Sequence, residues 1–401
     1  MSEAPILVLN AGSSSLKFTV YRHVTNTESD VAASGQVEGI GSSPRLVARD
    51  GSGRTLLDQP EPVNDCAGAL VAVAKWLRSH LGSVSLGGVG HRVVHGGANY
   101  FGATLVSPGV LSDLYKLVPL APLHQPYNLA VIEAVGERLP GVPQVACFDT
   151  SFHRGQSAVA ELVPLPAKIR RQGVQRYGFH GLSYEYIASV LPRVAPEVAN
   201  GRVIVAHLGS GASLCALKNS KSIDSTLGFT ALDGLCMGTR PGAVDPGVIL
   251  HLFQSLNLSP RDVEAMLYKQ SGLLGISGIS NDMRELLDSQ EPDARLAIDY
   301  FVYRAVKEIG ALAAVLGGVD ALVFTAGIGE KSPEIRRLIA GGCRWLGLEL
   351  DERANQEGGP RIFAPHSRLS AWVIPTNEEL MIARHTARLL GSMTNRTRTA
   401  D

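Results

Sequence analysis

This chain has no surplus of charge of either sign. It carries 37 lysines and arginines against 37 aspartates and glutamates, and charged residues make up only 18% of it. That balance offers no general attraction to nucleic acid or to an anionic membrane. Any anion must be held by locally placed groups. Cysteine is scarce: Cys66, Cys147, Cys215, Cys236 and Cys343 are odd in number, and no two stand at Cys-x-x-Cys spacing. This argues against a disulfide framework or a zinc site and for reduced, mostly buried thiols in a cytoplasm. Long apolar runs are lacking. Residues 6–9 form a short run after the acid Glu3, which does not read as a signal peptide. Residues 311–324 are broken by Gly317, Gly318 and Asp320, so no transmembrane helix is expected. Two nucleotide fingerprints are missing as well. No Gly-Lys-Ser/Thr stands at Walker A spacing, and no loop completes Gly-x-Gly-x-x-Gly.

What the chain does have is bulk and pattern. Its 401 residues suit two domains, and 45% hydrophobic residues can build sizeable cores. Residues 6–10, 16–23, 34–39 and 45–49 are short apolar or alternating runs parted by Gly, Ser and Asp turns, which is the pattern of strands. A helix is expected from a cap at Asn64 or Asp65 to Leu81, because Leu70, Val73, Ala74, Leu77 and Leu81 share one face. A strand within 84–94, a helix over 126–139 and a strand over 142–148 follow. Strands first, then alternating helix and strand, indicate an α/β domain with a mixed sheet. The plan returns later in the chain: 202–208, a Gly/Ser turn at 209–213 and 214–217 again read strand, turn, strand. Two similar domains facing each other across a cleft would follow. Helices are marked at Ser259-Pro260-Arg261-Asp262, over 293–316, at Ser332-Pro333-Glu334 and over 377–390, with a buried strand at 322–325. The tail after Gly391 is polar and is expected to be disordered chain outside the last helix.

Three segments have the composition of a phosphate site, where backbone N–H groups must converge without side chains in the way. They are Asn10-Ala11-Gly12-Ser13-Ser14-Ser15-Leu16-Lys17, His207-Leu208-Gly209-Ser210-Gly211-Ala212-Ser213 and Thr325-Ala326-Gly327-Ile328-Gly329-Glu330. The third reads as a loop between a buried strand and a helix. One such loop alone is more often a plain turn; three, each after a strand, are harder to dismiss. Lys17 can meet a phosphate or carboxylate oxygen as a point charge, and Asn10 can face a metal or its water. A surface lysine and a turn asparagine are the simpler alternatives. Arg92 and Arg240 stand among glycines and apolar residues, where solvated surface explains them poorly, and phosphoryl transfer needs such groups. His180 could donate a hydrogen bond to the same phosphoryl; a satisfied core histidine is its alternative. Asp149 follows a strand. Glu378 and Glu379 open the last helix, where acids suit the helix dipole or where one of them can hold Mg²⁺ carried by ATP, through water.

With these pieces in order, the sequence resembles the acetate kinases, of the acetate and sugar kinase/Hsp70/actin superfamily. LVLNAGSSSLKF, GHRVVHGG, FDTSFH, RYGFHGLSYEYI, AHLGSGASL, MGTRPGAVDPG, SGISNDMR, TAGIGE and IPTNEEL occur in the family's order across nearly the whole chain. The resemblance implies two ribonuclease-H-like, actin-like ATPase domains with mixed sheets. The first is 1–150 with about 378–401; the second is 151–377, which binds nucleotide and carries the interface of a homodimer. It implies reversible, direct in-line transfer of the ATP γ-phosphoryl to acetate, giving acetyl phosphate and ADP, with Mg²⁺ (or Mn²⁺ in its place). Carried over, Asn10 and Glu378 are the metal positions, and Lys17 and Arg92 the substrate positions. Asp149 is the acid/base or orienting carboxylate, and His180 and Arg240 stabilise the transition state. His207, Leu208, Gly209, Ser210, Gly211, Asp282, Met283, Arg284, Gly327, Ile328, Gly329, Glu330 and Lys331 surround the nucleotide.

The family's methyl pocket combines Val, Leu, Phe and Pro; here it reads Val94, Leu123, Phe179 and Ala231, so alanine replaces proline. Ser210 stands where the family usually has asparagine. A kinase for propionate or another short-chain carboxylate is therefore the alternative activity. A sugar or glycerol kinase would need a base for a hydroxyl and many polar contacts, which Val94, Leu123 and Phe179 do not offer.

Overall fold

The computed structural model describes residues 4–82 and 85–398, with 394–398 given by backbone alone. The chain divides into two compact units, Met1–Ser151 with Asn377–Asp401, and Phe152–Thr376.

The first unit is built on eight strands: β1 (Ile6–Ala11), β2 (Ser15–Val24), β3 (Ser29–Glu38), β4 (Arg45–Asp50), β5 (Thr55–Pro60), β6 (Gly88–Val93), β7 (Thr104–Leu105) and β8 (Gln144–Phe148). Their order is β5-β4-β3-β2-β1-β6-β8-β7. β1 is antiparallel to β2 and parallel to β6, and β6 is parallel to β8. Every residue of β1 is buried, as a strand covered on both faces requires. The helices Cys66–Leu81 and Gln125–Arg138 pack against this sheet, and so does the last helix, Glu378–Arg398. Asp65, not Asn64, caps the first of them, accepting from Gly68 N at 2.7 Å. The last helix lies close to β6 because Gly90 has no side chain; a Cβ there would meet Thr386 Oγ1 at 2.4 Å. That approach brings Glu378 and Glu379 to the strand ends.

The second unit holds β9 (Arg202–Leu208), β10 (Ala212–Lys218), β11 (Lys221–Ser225), β12 (Ala321–Thr325) and β13 (Ser370–Val373), in the order β11-β10-β9-β12-β13. β9 is antiparallel to β10 and parallel to β12, and β12 is parallel to β13. This copies β3-β2-β1-β6-β8 strand for strand, the ribonuclease-H-like arrangement twice over. The repeated strand–turn–strand thus marks a real duplication.

Two expectations need correction. Residues 325–330 are not a loop: the helix Ala326–Lys331 begins directly after β12. Ala326 takes a left-handed φ of 64°, which turns the chain within one residue, and Glu330 reaches back to accept its N–H at 2.8 Å. Residues 392–398 of the tail after Gly391 belong to the last helix, which continues to Arg398, and the rest of that expectation, residues 399–401, lies outside the described residues. A lone glycine costs a helix only about 1 kcal/mol, and no proline follows to stop it. Among the described residues, no helix is long and apolar enough to cross a membrane. All five cysteines are free and buried.

Candidate active site

In the first unit, β1, β6 and β8 run parallel, so their carboxyl ends gather at one end of the sheet, where α/β folds place ligands. Asn10 lies near the end of β1, Arg92 near the end of β6, and Asp149 just past β8. Arg92 grips Asp149 with two nitrogens, Nε to Oδ1 at 3.0 Å and Nη2 to Oδ2 at 2.6 Å, and Nη1 reaches Asn10 Oδ1 at 3.4 Å. This bidentate geometry is the strong form of an ion pair. Asn10 Nδ2 donates to Glu379 Oε1 at 3.4 Å. Lys17 is exposed and sits across the β1–β2 ladder from Asn10.

Burial works against the Arg92 charge. The carboxylates of Asp149, Glu378 and Glu379, together with the hydrogen bonds to Asp149, more than offset it, so the guanidinium stays charged. Glu378 keeps some exposed surface, yet desolvation by the protein packed around it pushes its carboxyl up to about 7. Arg92 and Lys17 pull it down, while Asp149 and Glu379 push it further up. Three carboxylates therefore face two cations, an arrangement with room for a further positive charge. Among the described residues, no three His, Cys, Asp or Glu side chains form a metal cage. The oxygens of Asn10 and Glu378 instead suit a hard cation that keeps most of its ligands as water and phosphate.

The turn after β6 is pinned from the helix Gln125–Arg138. Asn128 accepts from Val94 N at 3.0 Å and donates to Ala11 O at 2.6 Å. Gln125 accepts from His95 N and donates to His95 O, both at 3.1 Å. Val94 is buried and Leu123 half-buried.

In the second unit, the turn between β9 and β10 is closed by Gly209 N to Gly211 O at 3.1 Å. A Cβ on Gly211 would lie 2.8 Å from Arg240 Nη2 and 3.4 Å from His180 Nε2, so Arg240 and His180 meet over this glycine. Arg240 is aimed by Nη1, which donates to Ala231 O at 2.7 Å. His180, at a left-handed φ of 56°, precedes the helix Gly181–Val194. Its ring stacks on His207 with centroids 4.2 Å apart. Each ring is held through Nδ1 at 2.8 Å, His180 by Ser213 Oγ and His207 by Ser183 Oγ. Phe179 is buried, and its carbonyl bonds His153 Nε2 at 2.9 Å. Burial keeps His153 neutral, pushing it down to about 4.

The segments expected around the nucleotide gather in this unit too. Ser210 O accepts from Gly238 N at 3.0 Å, and a Cβ on Gly238 would lie 3.2 Å from Asn281 O, next to Asp282. A Cβ on Gly209 would lie 3.8 Å from Ala326 Cβ, and one on Gly329 would lie 3.7 Å from Leu208 Cβ. Gly327 and Lys331 are exposed and Ile328 is half-buried, whereas Met283 is buried. Asp282 caps its own short helix and binds Arg284 at 2.6 Å. The Glu330 carboxylate is taken up by the chain itself, accepting from Ala326 N at 2.8 Å and Thr376 N at 3.1 Å. Sequence reasoning passed over the holders: Glu379 as the partner of Asn10, and Gln125, Asn128, Ser183 and Ser213. The available signal was a polar residue at a buried position of an otherwise apolar element.

The acetokinase family profile matches residues 5–384. The chain is 54% identical over 388 residues to the acetate kinase of Nitrobacter hamburgensis, covering 96% of each. It is 51% identical over 392 residues to the acetate kinase of Rhodopseudomonas palustris, covering 96% of this chain and 98% of the other. Its structure is similar to a propionate kinase from Francisella tularensis, with TM-score 0.88 and 34% identity over 96% of this chain and 99% of that one. It is also similar to Porphyromonas gingivalis acetate kinase, with TM-score 0.83 and 36% identity over 96% of this chain and all of the other. A profile match over nearly the full length, joined to relatives at about half identity, shows that this chain belongs to the acetokinase family.

Proposed function

We propose that the chain transfers the γ-phosphoryl of ATP to acetate, reversibly, giving acetyl phosphate and ADP. The observation that carries this reading is the meeting of Arg240 and His180 over Gly211. Acetate is already anionic at neutral pH and needs no general base to attack. The barrier is the approach of two anions, with negative charge spreading over the phosphoryl oxygens as the group moves. Arg240 and His180 supply a fixed cation and a hydrogen-bond donor for those oxygens. Arg92 and Lys17 receive the acetate carboxylate, and Asp149 orients Arg92 rather than taking a proton. Each unit offers apolar side chains for its methyl group, Val94 and Leu123 in the first and Phe179 and Ala231 in the second.

His207, Leu208, Gly209, Ser210 and Gly211, with Asp282, Met283, Arg284 and residues 327–331, serve the nucleotide in the second ribonuclease-H-like domain. Asn10 and Glu378 would hold Mg²⁺ (or Mn²⁺), which lowers the charge of the ATP phosphates. A second reading, propionate as the better acceptor, is favoured by one observation: Ala231 stands where the family pocket has proline.

The same reading includes a homodimer formed through the second unit. The helix Pro246–Gln254 has no buried residue and exposes Val248, Leu250 and Phe253. The helix Pro292–Leu316 exposes Leu296, Tyr300 and Tyr303 along one face. Free, buried cysteines suit a cytoplasm. The test is ATP-dependent hydroxamate formation with acetate, propionate, butyrate and glycerol. Turnover is expected with acetate and none with glycerol; no turnover with any of the three acids would sink the proposal.

A further inference from the structure

Two hydrogen bonds in the second unit decide where a proton sits. Tyr184, in the helix Gly181–Val194, is fully buried, and among the described residues its hydroxyl has one partner, Ser213 Oγ. A buried phenol with a single partner donates to it. Ser213 is fully buried as well, and its hydroxyl hydrogen then has one side-chain acceptor left, Nδ1 of His180 at 2.8 Å. Nδ1 therefore accepts, and the imidazole hydrogen falls on Nε2. That is the nitrogen aimed at Gly211, beside Arg240 Nη2.

We propose that Ser213, oriented by Tyr184, is a positioning residue that fixes His180 as the neutral Nε2–H tautomer, a hydrogen-bond donor to the moving phosphoryl group. The proposal rests on the phosphoryl-transfer reading of this site. The other tautomer fails on hydrogen-bond count. With hydrogen on Nδ1, Ser213 would accept from both His180 and Tyr184, and its own hydrogen would be buried without an acceptor. An imidazolium meets the same obstacle. It would also add a positive charge beside Arg240 and against the stacked ring of His207. On the far side of Tyr184 stand His153, which burial keeps neutral, and Cys215, whose thiol burial pushes up to about 12. Neither brings a charge that would reverse the preference.

The experiment is long-range ¹⁵N NMR of the full-length protein with labelled histidine, His180 being assigned by the signal lost in His180→Asn. The wild type should show the Nε2–H pattern at neutral pH. Ser213→Ala should give mixed tautomers and lower kcat about tenfold or more, since a misaligned donor loses transition-state stabilisation, while KM for ATP stays near its wild-type value. Ser213→Thr, which keeps the hydroxyl, should restore most of kcat. Tyr184→Phe should keep the tautomer, because Ser213 still has only Nδ1 to donate to.

A wild-type His180 with its hydrogen on Nδ1, or charged at neutral pH, overturns the proposal, as does Ser213→Ala with unchanged tautomer and kcat. If Ser213→Ala does not fold, the wild-type spectrum and Ser213→Thr decide alone. Failure of the acetate kinase reading would appear separately, as a wild type that shows the expected tautomer but no acetate turnover.

Discussion

Gly211 matters for what it lacks. Alanine there would place a methyl 2.8 Å from Arg240 Nη2 and 3.4 Å from His180 Nε2. The tip of an arginine can move aside, so the fold should survive with its melting temperature nearly unchanged. The displaced donor should lower kcat by about 10²–10³. A folded Gly211→Ala variant with wild-type kcat would remove Arg240 and His180 from the chemistry. Arg240→Ala should cut kcat by about 10³–10⁵, the range for an arginine finger. Arg92→Ala should cost as much activity and also stability, because it strands the buried Asp149 carboxylate; breaking such a pair costs about 3–5 kcal/mol. Denaturant melts beside the rate assay separate the two effects. Ala231 tests the acceptor pocket more finely. Its carbonyl holds Arg240, and proline keeps that carbonyl while changing the side chain. Ala231→Pro should shift kcat/KM toward acetate over propionate, by the roughly 1–3 kcal/mol that one methylene is worth. An unchanged ratio would falsify the roomier-pocket idea.

Elements divide by how much of their cause is local. β1, β9, β12 and the helix Cys66–Leu81 were legible because apolar periodicity and an Asp65 cap act within a few residues. The helix Ala326–Lys331 was not, because a Gly-rich stretch after a strand looks like a loop until Glu330 closes it through Ala326 N and Thr376 N. Thr376 is distant in sequence, so no local pattern announces that bond. Glu330→Ala should therefore destabilise the protein by about 1.5–3 kcal/mol, the value of hydrogen bonds to a charged group. A chemical melt of the second unit reads it, and no loss would show that the bond has no thermodynamic weight.

Asn10 and Asp149 were likewise legible at strand ends, and Lys17 and Arg92 by residue type among small and apolar neighbours, while Asn128 reads as an ordinary helix residue and Gln125 falls just before the expected helix; their bonds to the loop after β6 and to Ala11 carry no local pattern. Two buried histidines set an acid limit. His91 on β6, bonded to Gln144 on β8 at 2.7 Å, and His153 are both pushed by burial down to about 4 from an ordinary 6.5. The unfolded chain then binds more protons than the folded one between those values. Their stabilisation is complete above pH 6.5 and is lost as pH falls toward 4, by up to about 3 kcal/mol each. Denaturant midpoints should fall over that window, and less steeply in His91→Gln.

At the scale of the whole molecule, the duplication was readable because strand, Gly/Ser turn and strand recur, and the five strands of the second sheet then follow the order of β3-β2-β1-β6-β8 in the first. Association is not written in periodicity of that kind. The helix Pro246–Gln254, which sequence reasoning did not mark, opens on an Asp245 cap and a first-turn proline like many others. What sets it apart is that none of its residues is buried, although Leu250 remains 55% exposed. A helix with apolar residues and no burial gains little from its own chain. Leu296 and Tyr303, 57% and 63% exposed, mark the long helix in the same way. Exposed apolar helix faces of this sort are covered in stable assemblies, and a specific interface needs about 1,000 Å² or more. Light scattering after gel filtration should therefore give twice the chain mass for the wild type. Leu250→Glu combined with Tyr303→Glu should give a single chain mass, because a self-complementary interface meets each new charge twice. Circular dichroism should be unchanged, since neither side chain supports the core. A wild type that runs as a single chain, or a double variant that stays paired, would place the interface elsewhere or remove it.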